Sequence, residues 1–225
     1  MVKASMESIS AQVAGRLRAR GVPFRANDNI APYLEPGELD GIQAEVEDRM
    51  TGVLGSLVID VENDHNTRDT ARRIAKMFVR EVFAGRYEAM PQATEFPNEK
   101  RLGDILVVGP MTVRSTCSHH FAPILGHAWV GVISGEKVLG VSKFSRLFSW
   151  FASRPQIQEE LAVQVADCLE ALLKPRGLAV VIKAMHSCMT WRGVKDSDSK
   201  MTTSVMRGLF MTSAEARQEF LELLK

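Results

Sequence analysis

The sequence predicts an α+β protein in which a helical N-terminal region precedes a largely antiparallel sheet backed by helices. Three observations support this class. The first third of the chain carries apolar residues at helical spacing, and β-rich segments alternate with helices after about residue 100. Between residues 85 and 100 the composition shifts to Pro91, Pro97 and mixed charge. We therefore expect a helical N-terminal region over residues 1–95 and a second domain over residues 96–225.

The helical region contains three predicted helices, over residues 7–20, 38–57 and 69–84. Each has apolar side chains three or four residues apart, which is the pattern of a helix with one buried face. The predicted buried stripes are Ile9, Val13 and Leu17 in the first helix, Ile42, Val46, Met50 and Leu54 in the second, and Ile74, Met77, Phe78 and Val82 in the third.

The second domain alternates predicted strands with predicted helices. Ser153 as N-cap, Pro155 in the first turn and Gln156 at the capping-box position predict a helix that ends near Lys174. Ser213 is the predicted cap of the last helix, which runs to Leu224. The predicted strands cover residues 103–116, 124–133, 138–141, 178–189 and 201–210, and a further helix covers 142–152.

Composition narrows the partners and the compartment. The 225 residues include 28 basic and 27 acidic side chains, so a net charge of +1 gives no global attraction to nucleic acid or to a membrane surface. Three cysteines are an odd number, which argues against a disulfide framework. The segment Met1–Glu7 lacks the apolar run of a signal peptide. We expect a cytoplasmic protein that binds neither nucleic acid nor membrane.

Two clusters carry residues that can bind a metal. One contains Cys117, His119 and His120, and the other contains His186 and Cys188. On an extended strand His186 and Cys188 share one face, about 6.6 Å apart along the strand. Two cysteines and one histidine would give a catalytic zinc site with an open position, whereas four ligands would give a structural one. The alternative is that the thiols are small core residues and the histidines are structural.

The sequence assigns the remaining cysteine to the core and leaves two roles open for several polar and basic residues. Cys168 lies inside an apolar helical stripe and is predicted to belong to the core. Gln158 and Glu159 open a predicted helix, where they either interact with the helix dipole or recognise the edge of a base. Basic side chains that could bind a phosphate chain, or could simply lie on solvated helix faces, are Arg73, Lys76, Lys143 and Arg146, the last two after Ser142, and Arg192.

Taken together, these residues make the chain resemble the GTP cyclohydrolase I family. The resemblance extends from about Asn66 to the C-terminus, with the matching stretches in the right order. It departs from the family pattern at Ser118, where the family usually has Glu, and at Ala71, where Pro is common. The stretches that carry it are TRDTARRIAKMFVREVF (67–83), STCSHHF (115–121), VSKFSRLFSWFASRPQIQEEL (141–161), HSCMTWRGVKD (186–196) and TTSVMRGLF (202–210).

The resemblance implies a role for each of the residues. Cys117, His120 and Cys188 would be the Zn²⁺ ligands, and His119 and His186 would handle protons beside the metal. Gln158 and Glu159 would recognise guanine, and Ser142 would lie near the ribose and phosphates. The triphosphate cradle would consist of Arg73, Lys76, Lys143, Arg146 and Arg192.

The resemblance also implies fold, assembly and reaction. The family has the tunnelling fold, an antiparallel sheet backed by helices, and assembles into a toroidal homodecamer with active sites between subunits. Its members hydrolyse the imidazole ring of GTP, release formate and form 7,8-dihydroneopterin triphosphate, the first step of folate and pterin synthesis. Two other functions remain: a related tunnelling-fold enzyme acting on another purine or pterin, and a non-catalytic zinc-binding or partner-binding protein.

Overall fold

A computed structural model describes residues 7–225 and divides the chain into two compact units, one ending at Ala89 and the other spanning Met90–Lys225. The segment Met1–Met6, on which the expectation about a signal peptide largely depends, lies outside the described residues. A functional boundary at residue 95 stays a prediction. Within residues 7–225, no helix is both long enough and apolar enough to cross a bilayer.

Helices and strands occur in the order expected for the α+β class, which the structure confirms. The first unit contains α1 (Ile9–Ala19), α2 (Glu38–Ser56), α3 (Thr70–Lys76), a π-helical turn (Met77–Val82) and α4 (Ala84–Tyr87), with a 3₁₀ turn at Ala31–Tyr33. The second unit contains β1 (Glu95–Pro97), β2 (Ile105–Cys117), β3 (Pro123–Ile133), β4 (Lys137–Leu139), α5 (Val141–Ala152), β5 (Pro155–Gln156), α6 (Gln158–Leu173), β6 (Gly177–His186), α7 (Ser187–Thr190), β7 (Met201–Gly208), α8 (Leu209–Thr212) and α9 (Ala214–Glu222).

The core of the first unit joins α1 and α2 through the predicted apolar positions. Val13 and Leu17 of α1 and Ile42 of α2 are buried in one cluster, as the helical spacing predicts. The predicted stripe of the third helix is wrong. Its buried positions are Ala71, Ala75, Val79 and Phe83, whereas Met77 is exposed and Ile74, Phe78 and Val82 are only partly buried. Small alanines allow close packing against a neighbouring helix, and the π-helical turn rotates the residues that follow.

An ion pair between partly buried Arg16 and buried Glu38 anchors the N-terminus of α2 to α1. Arg16 donates from Nη2 to Glu38 Oε1 at 2.5 Å and from Nη1 to Glu38 Oε2 at 2.9 Å. The backbone N–H of Glu35 also donates to Glu38 Oε2, at 2.7 Å. The guanidinium of Arg16 lowers the pKa of the Glu38 carboxyl below its ordinary value, although burial acts in the opposite direction. The ionised form is therefore the one that stabilises this unit.

Replacing Glu38 with Gln is expected to destabilise the first unit by about 1.5–3 kcal/mol at pH 7, the range for a hydrogen bond to a charged group. Because folding lowers the pKa of Glu38, its contribution to stability is complete above the unfolded pKa of about 4.3 and is lost as the pH falls through the folded pKa.

The three tryptophans, Trp129, Trp150 and Trp191, lie in the second unit, so their fluorescence does not report on the first. Hydrogen exchange of α1 and α2 is therefore the measurement. Glu47→Gln, which removes a carboxylate from the same helix outside this ion pair, is the control. Equal exchange in both variants at pH 7 would contradict the prediction.

The second unit is built on a five-stranded sheet with the order β5-β2-β3-β6-β7. The pairs β2–β3, β3–β6 and β6–β7 are antiparallel, and β5 pairs parallel to β2. A separate two-stranded sheet joins β1 and β4. The strands predicted over 103–116 and 124–133 are confirmed, and the strand predicted over 201–210 is confirmed as far as Gly208, after which α8 begins. The strand predicted over 138–141 is shifted, because β4 ends at Leu139 and Val141 already begins α5.

Helices cover both faces of the sheet. On one face, Leu178, Val180, Ile182 and Ala184 of β6 pack in the cluster that contains the apolar sides of α5 and α6, as predicted. Cys168 of α6 packs against the same cluster, which confirms its place beside the core. On the other face, Ala179 and Val181 form a second cluster with Phe210 and Phe220 from α8 and α9. Strand β6 is thus buried on both faces and is a rigid support for the residues at its C-terminal end.

Two local predictions in this unit are wrong. Ser153 does not cap a helix: Pro155 and Gln156 form β5, opposite Thr116 and Cys117 of β2, and α6 begins only at Gln158. Backbone pairing with a distant strand takes the place of the expected capping turn. The predicted strand over 178–189 stops at His186, and Ser187–Thr190 forms the helical turn α7. His186 and Cys188 therefore do not share one face of an extended strand. The distance of about 6.6 Å expected from the rise of a strand does not apply to them.

Candidate metal centre and active site

The turn between β2 and β3 presents the first cluster. Cys117 ends β2; its N–H donates to the carbonyl of Ala122 at 2.8 Å, and its carbonyl accepts from Phe121 N–H at 2.9 Å. Ser118 N–H donates to the carbonyl of Gln156 in β5 at 2.9 Å, which ties the turn to the sheet edge. Phe121 closes the turn with a φ of 51°, a left-handed conformation that is unusual for a bulky residue. The backbone of this turn is thus fixed by hydrogen bonds, while the side chains of His119 and His120 are exposed.

Cys117, His120 and Cys188 converge on one point. One ligand atom from each residue lies within 4.8 Å of the other two, and the two Sγ atoms are 3.8 Å apart. Tetrahedral zinc with Zn–S bonds of about 2.3 Å requires sulfurs about 3.8 Å apart. Cys117 is buried, Cys188 is half-buried and His120 is exposed, so the site is open on the imidazole side. The donor set and spacing fit a metal ion of the zinc type.

The surroundings of Cys188 favour its protonated thiol. The pKa of the Cys188 thiol is raised, chiefly by burial and further by its hydrogen bond to Cys117, while the guanidinium of Arg192 acts to lower it. Thiolates are the form that binds metal, so a cation bound at this cluster would have to displace thiol protons. All three cysteines are unpaired thiols.

The two other predicted histidines lie beside this cluster. His119 Nδ1 is 3.5 Å from Cys117 Sγ, and its side chain is exposed. His186 ends β6, and its Nε2 lies 2.9 Å from Oε1 of Gln158. Burial lowers the pKa of His186, while the nearby carboxylate of Glu159 acts to raise it. The net effect favours a neutral His186 ring.

The two residues predicted to recognise guanine, at the start of α6, differ in their exposure to solvent. Gln158 is 1% exposed, and its amide faces inward against His186 and the sheet. Glu159 is exposed on the next position. Sequence reasoning missed Thr203, whose hydroxyl oxygen is 3.1 Å from Gln158 Nε2. Thr203 pairs with Ile182 across β6 and β7, and it lies within the matching stretch 202–210.

The predicted cations occupy three places. Arg192 follows α7, where Gly193 turns the chain with a φ of 64°, and its Nη1 is 3.0 Å from His120 Nε2. Ser142, Lys143 and Arg146 lie in the first two turns of α5, which packs on β2. Arg73 and Lys76 belong to α3 in the first unit, where both are exposed and Arg73 pairs with Asp69 at 3.6 Å. The structure thus joins Arg192 directly to the metal cluster.

An α+β domain in which two thiols and an imidazole converge at an open site beside the sheet has the architecture of a metal-binding protein with room for a further ligand. Comparison with known proteins specifies which kind. The profile of the family described as GTP cyclohydrolase I matches residues 46–225. This chain belongs to the GTP cyclohydrolase I family, a family of hydrolytic enzymes.

Curated relatives match between 78% and 98% of the chain. "GTP cyclohydrolase 1" of Edwardsiella ictaluri is 39% identical over 224 residues, covering 98% of each chain. The proteins of the same name from Yersinia enterocolitica and Erwinia tasmaniensis are 40% and 41% identical and cover 81% and 78% of this chain. The matched region covers 83% and 80% of those two proteins, respectively. A solved structure of the archaeosine synthase QueF-Like in the apo form overlaps partly, with a TM-score of 0.36 at 18% identity over 47% of this chain.

Proposed function

We propose that this chain is a zinc-dependent GTP cyclohydrolase that opens the guanine imidazole ring of GTP, releases formate and forms 7,8-dihydroneopterin triphosphate. The observation that carries the proposal is the convergence of Cys117, His120 and Cys188 within 4.8 Å, in a chain of this family. When bound, zinc lowers the pKa of a water ligand to about 7 and so supplies a nucleophile at neutral pH.

The two histidines beside the cluster are the proton carriers in this proposal. As C8 of guanine is attacked, the ring nitrogen N7 must gain a proton, and the second hydrolysis that frees formate needs a further transfer. Nδ1 of His119 faces Cys117 Sγ, which leaves Nε2 as its outward nitrogen. Nε2 of His186 is engaged by Gln158, which leaves Nδ1 as its available nitrogen. Each imidazole thus offers one nitrogen for exchange with substrate.

Binding of GTP is assigned to the predicted polar residues. The exposed carboxylate of Glu159 can accept both N–H groups on the Watson–Crick edge of guanine. Ser142 would lie near the ribose and phosphates. The triphosphate would be neutralised through charge-assisted hydrogen bonds by the basic side chains that the resemblance implies, namely Arg192, Lys143, Arg146, Arg73 and Lys76.

We also propose the toroidal homodecamer with active sites between subunits, a cytoplasmic location, and a place at the entry to folate or pterin synthesis.

A second candidate is a related enzyme that acts on another purine or pterin. The observation that favours it is Ser118, a short uncharged side chain in the turn of the metal cluster, where the family usually has Glu. A nucleotide panel followed by the absorbance of dihydropterin separates the two candidates. Turnover of another nucleotide without turnover of GTP would favour the second.

Removal of the metal is expected to abolish formate release from GTP, because the thiol pair and His120 have no other means of activating water. Formate and dihydropterin are measured before and after treatment with a zinc chelator, and again after zinc is restored. Recovery with Zn²⁺ but not with Mg²⁺ is expected, since thiolate ligands select zinc over hard cations. Full activity in protein shown by elemental analysis to contain no metal would overturn the proposal.

A further inference from the structure

The amide of Gln158 is held on both of its ends inside the second unit. Its Nε2 lies 3.2 Å from the carbonyl oxygens of Ile182 and Met201 and 3.1 Å from the hydroxyl oxygen of Thr203. Its Oε1 lies 2.9 Å from Nε2 of His186. An amide nitrogen has only two hydrogens for three oxygen acceptors, so all of its donor capacity is used within the protein.

This donor pattern fixes the orientation of the amide. Because three oxygens surround one end of the side chain, that end must be the NH₂ group, and the oxygen must face His186. A carbonyl oxygen only accepts, so His186 donates from Nε2–H, and its Nδ1 carries the lone pair when the ring is neutral. The contacts made by Gln158 therefore determine both the tautomer and the direction of the His186 ring.

Burial separates Gln158 from any ligand in solution. Its side chain is 1% exposed, whereas Glu159, one residue further along α6, is exposed. The three acceptors belong to β6 and β7, which are paired through Ile182 and Thr203, so the amide is anchored to the sheet itself. A side chain in this position cannot form hydrogen bonds with guanine unless it first leaves four internal partners.

We propose that Gln158 is a positioning residue for His186 and not a side-chain contact of the base. It transmits the rigidity of the β6–β7 pair to the imidazole that exchanges protons with substrate. The inference deepens the proposed function, because it depends on the role of His186 in proton transfer. It gives the Gln158 side chain a role different from the guanine binding that the resemblance implies, and it leaves base recognition to Glu159.

The kinetic test is Gln158→Met, which keeps the length and volume of the side chain but removes its donors and acceptor. We expect kcat for formate release to fall about 10- to 100-fold, as when a supporting partner of a functional histidine is lost. KM for GTP and the preference for GTP over inosine triphosphate should stay within about twofold, since one hydrogen bond to the base would be worth a larger factor. A rise in KM with unchanged kcat, or a changed base preference, would overturn the proposal.

A second variant tests the anchoring to the sheet. Gln158→Glu keeps an oxygen acceptor for His186 Nε2–H but loses the donors to the carbonyl oxygens of Ile182 and Met201. Its kcat is therefore also expected to fall, by about 10-fold or more with KM little changed, and a kcat equal to that of the wild-type protein would count against the proposal. Gln164→Met is the matched control on the same helix, because Gln164 accepts from Gln156 and not from His186. The control should lose stability without losing kcat.

A crystal structure of zinc-loaded Gln158→Met provides a readout that does not depend on activity. The His186 ring is expected to rotate or to show several orientations, while Cys117, His120 and Cys188 keep their places. A ring that is ordered as in the wild-type protein would overturn the inference even if activity were lost. If the wild-type protein itself releases no formate from GTP, the proposed function fails, and the crystallographic comparison still decides the role of Gln158.

Discussion

The Cys188→Ser protein is expected to lose its metal and its ability to release formate together. Cys188 and Cys117 form the sulfur pair, 3.8 Å apart, and a hydroxyl is a much poorer ligand for zinc than a thiolate. Four-ligand zinc sites bind with about 10–16 kcal/mol, so the share of one ligand is roughly 2.5–4 kcal/mol, or about 10²- to 10³-fold in affinity. Hydrolysis should fall with metal occupancy.

The measurement is zinc content by elemental analysis alongside formate release, at several concentrations of added zinc. Cys168→Ser is the matched control, because Cys168 packs against the core in α6 and its Sγ is 3.9 Å from Met90 Sδ. The control should keep its zinc and its activity while losing some stability. Retention of both properties by Cys188→Ser would show that the metal is held elsewhere, and the site would then have to be reassigned.

The Gly126→Ala protein is expected to lose about 3 kcal/mol or more of folding stability, at the upper end of the range for overpacking. A Cβ at Gly126 would lie 2.5 Å from Ala184 Cα and 2.8 Å from Ala184 Cβ, and it would also overlap the carbonyl oxygen of Lys183. Two of these are backbone atoms of β6 and the third is a Cβ bonded directly to the backbone, so the clash cannot be relieved by turning a flexible side chain. The two strands must separate locally.

The damage should extend to the active site, because β6 ends at His186, only two residues beyond Ala184, and His186 pairs with Ile124 of β3. Urea unfolding followed by tryptophan fluorescence reports the second unit, in which Trp129 lies on β3 itself. Gly52→Ala is the control: it lies on α2 with nothing within 4 Å of its added Cβ, so it should leave this transition unchanged. An unaltered midpoint for Gly126→Ala would show that β3 and β6 can move apart without cost.

Much of the fold follows from local patterns in the sequence. The residues Leu178, Val180, Ile182 and Ala184 alternate strictly and form one buried face, because the period of a strand is two. Ser213 caps α9 by accepting from Ala216 N–H, as its position predicts. Pro155 and Gln156 could not be assigned in this way: their strand exists because β2 is adjacent in space, and nothing within the segment itself indicates that neighbour.

For the candidate site, the sequence predicts which residues take part but not how the fold brings each of them into place. The residue types and the resemblance are sufficient to nominate Cys117, His120 and Cys188, and the structure brings them together. The element that carries Cys188 differs from the predicted one, because Cys188 lies on a helical turn and not on the strand. The inward direction of Gln158 depends on acceptors in β6 and β7, more than twenty residues away in sequence, so no local pattern could predict it.

The aromatic pair Phe210 and Phe220, whose ring centroids are 5.2 Å apart, has a consequence for the order of events during synthesis. The strand β7 and both rings are translated after every residue of the metal cluster, yet they complete the edge and one covering layer of the sheet. The first unit has its own core and can fold while the rest of the chain is still being translated. The second unit cannot complete this covering layer until Phe220 has been synthesised, so the residues of the metal cluster are present in the growing chain before the sheet that supports them is finished.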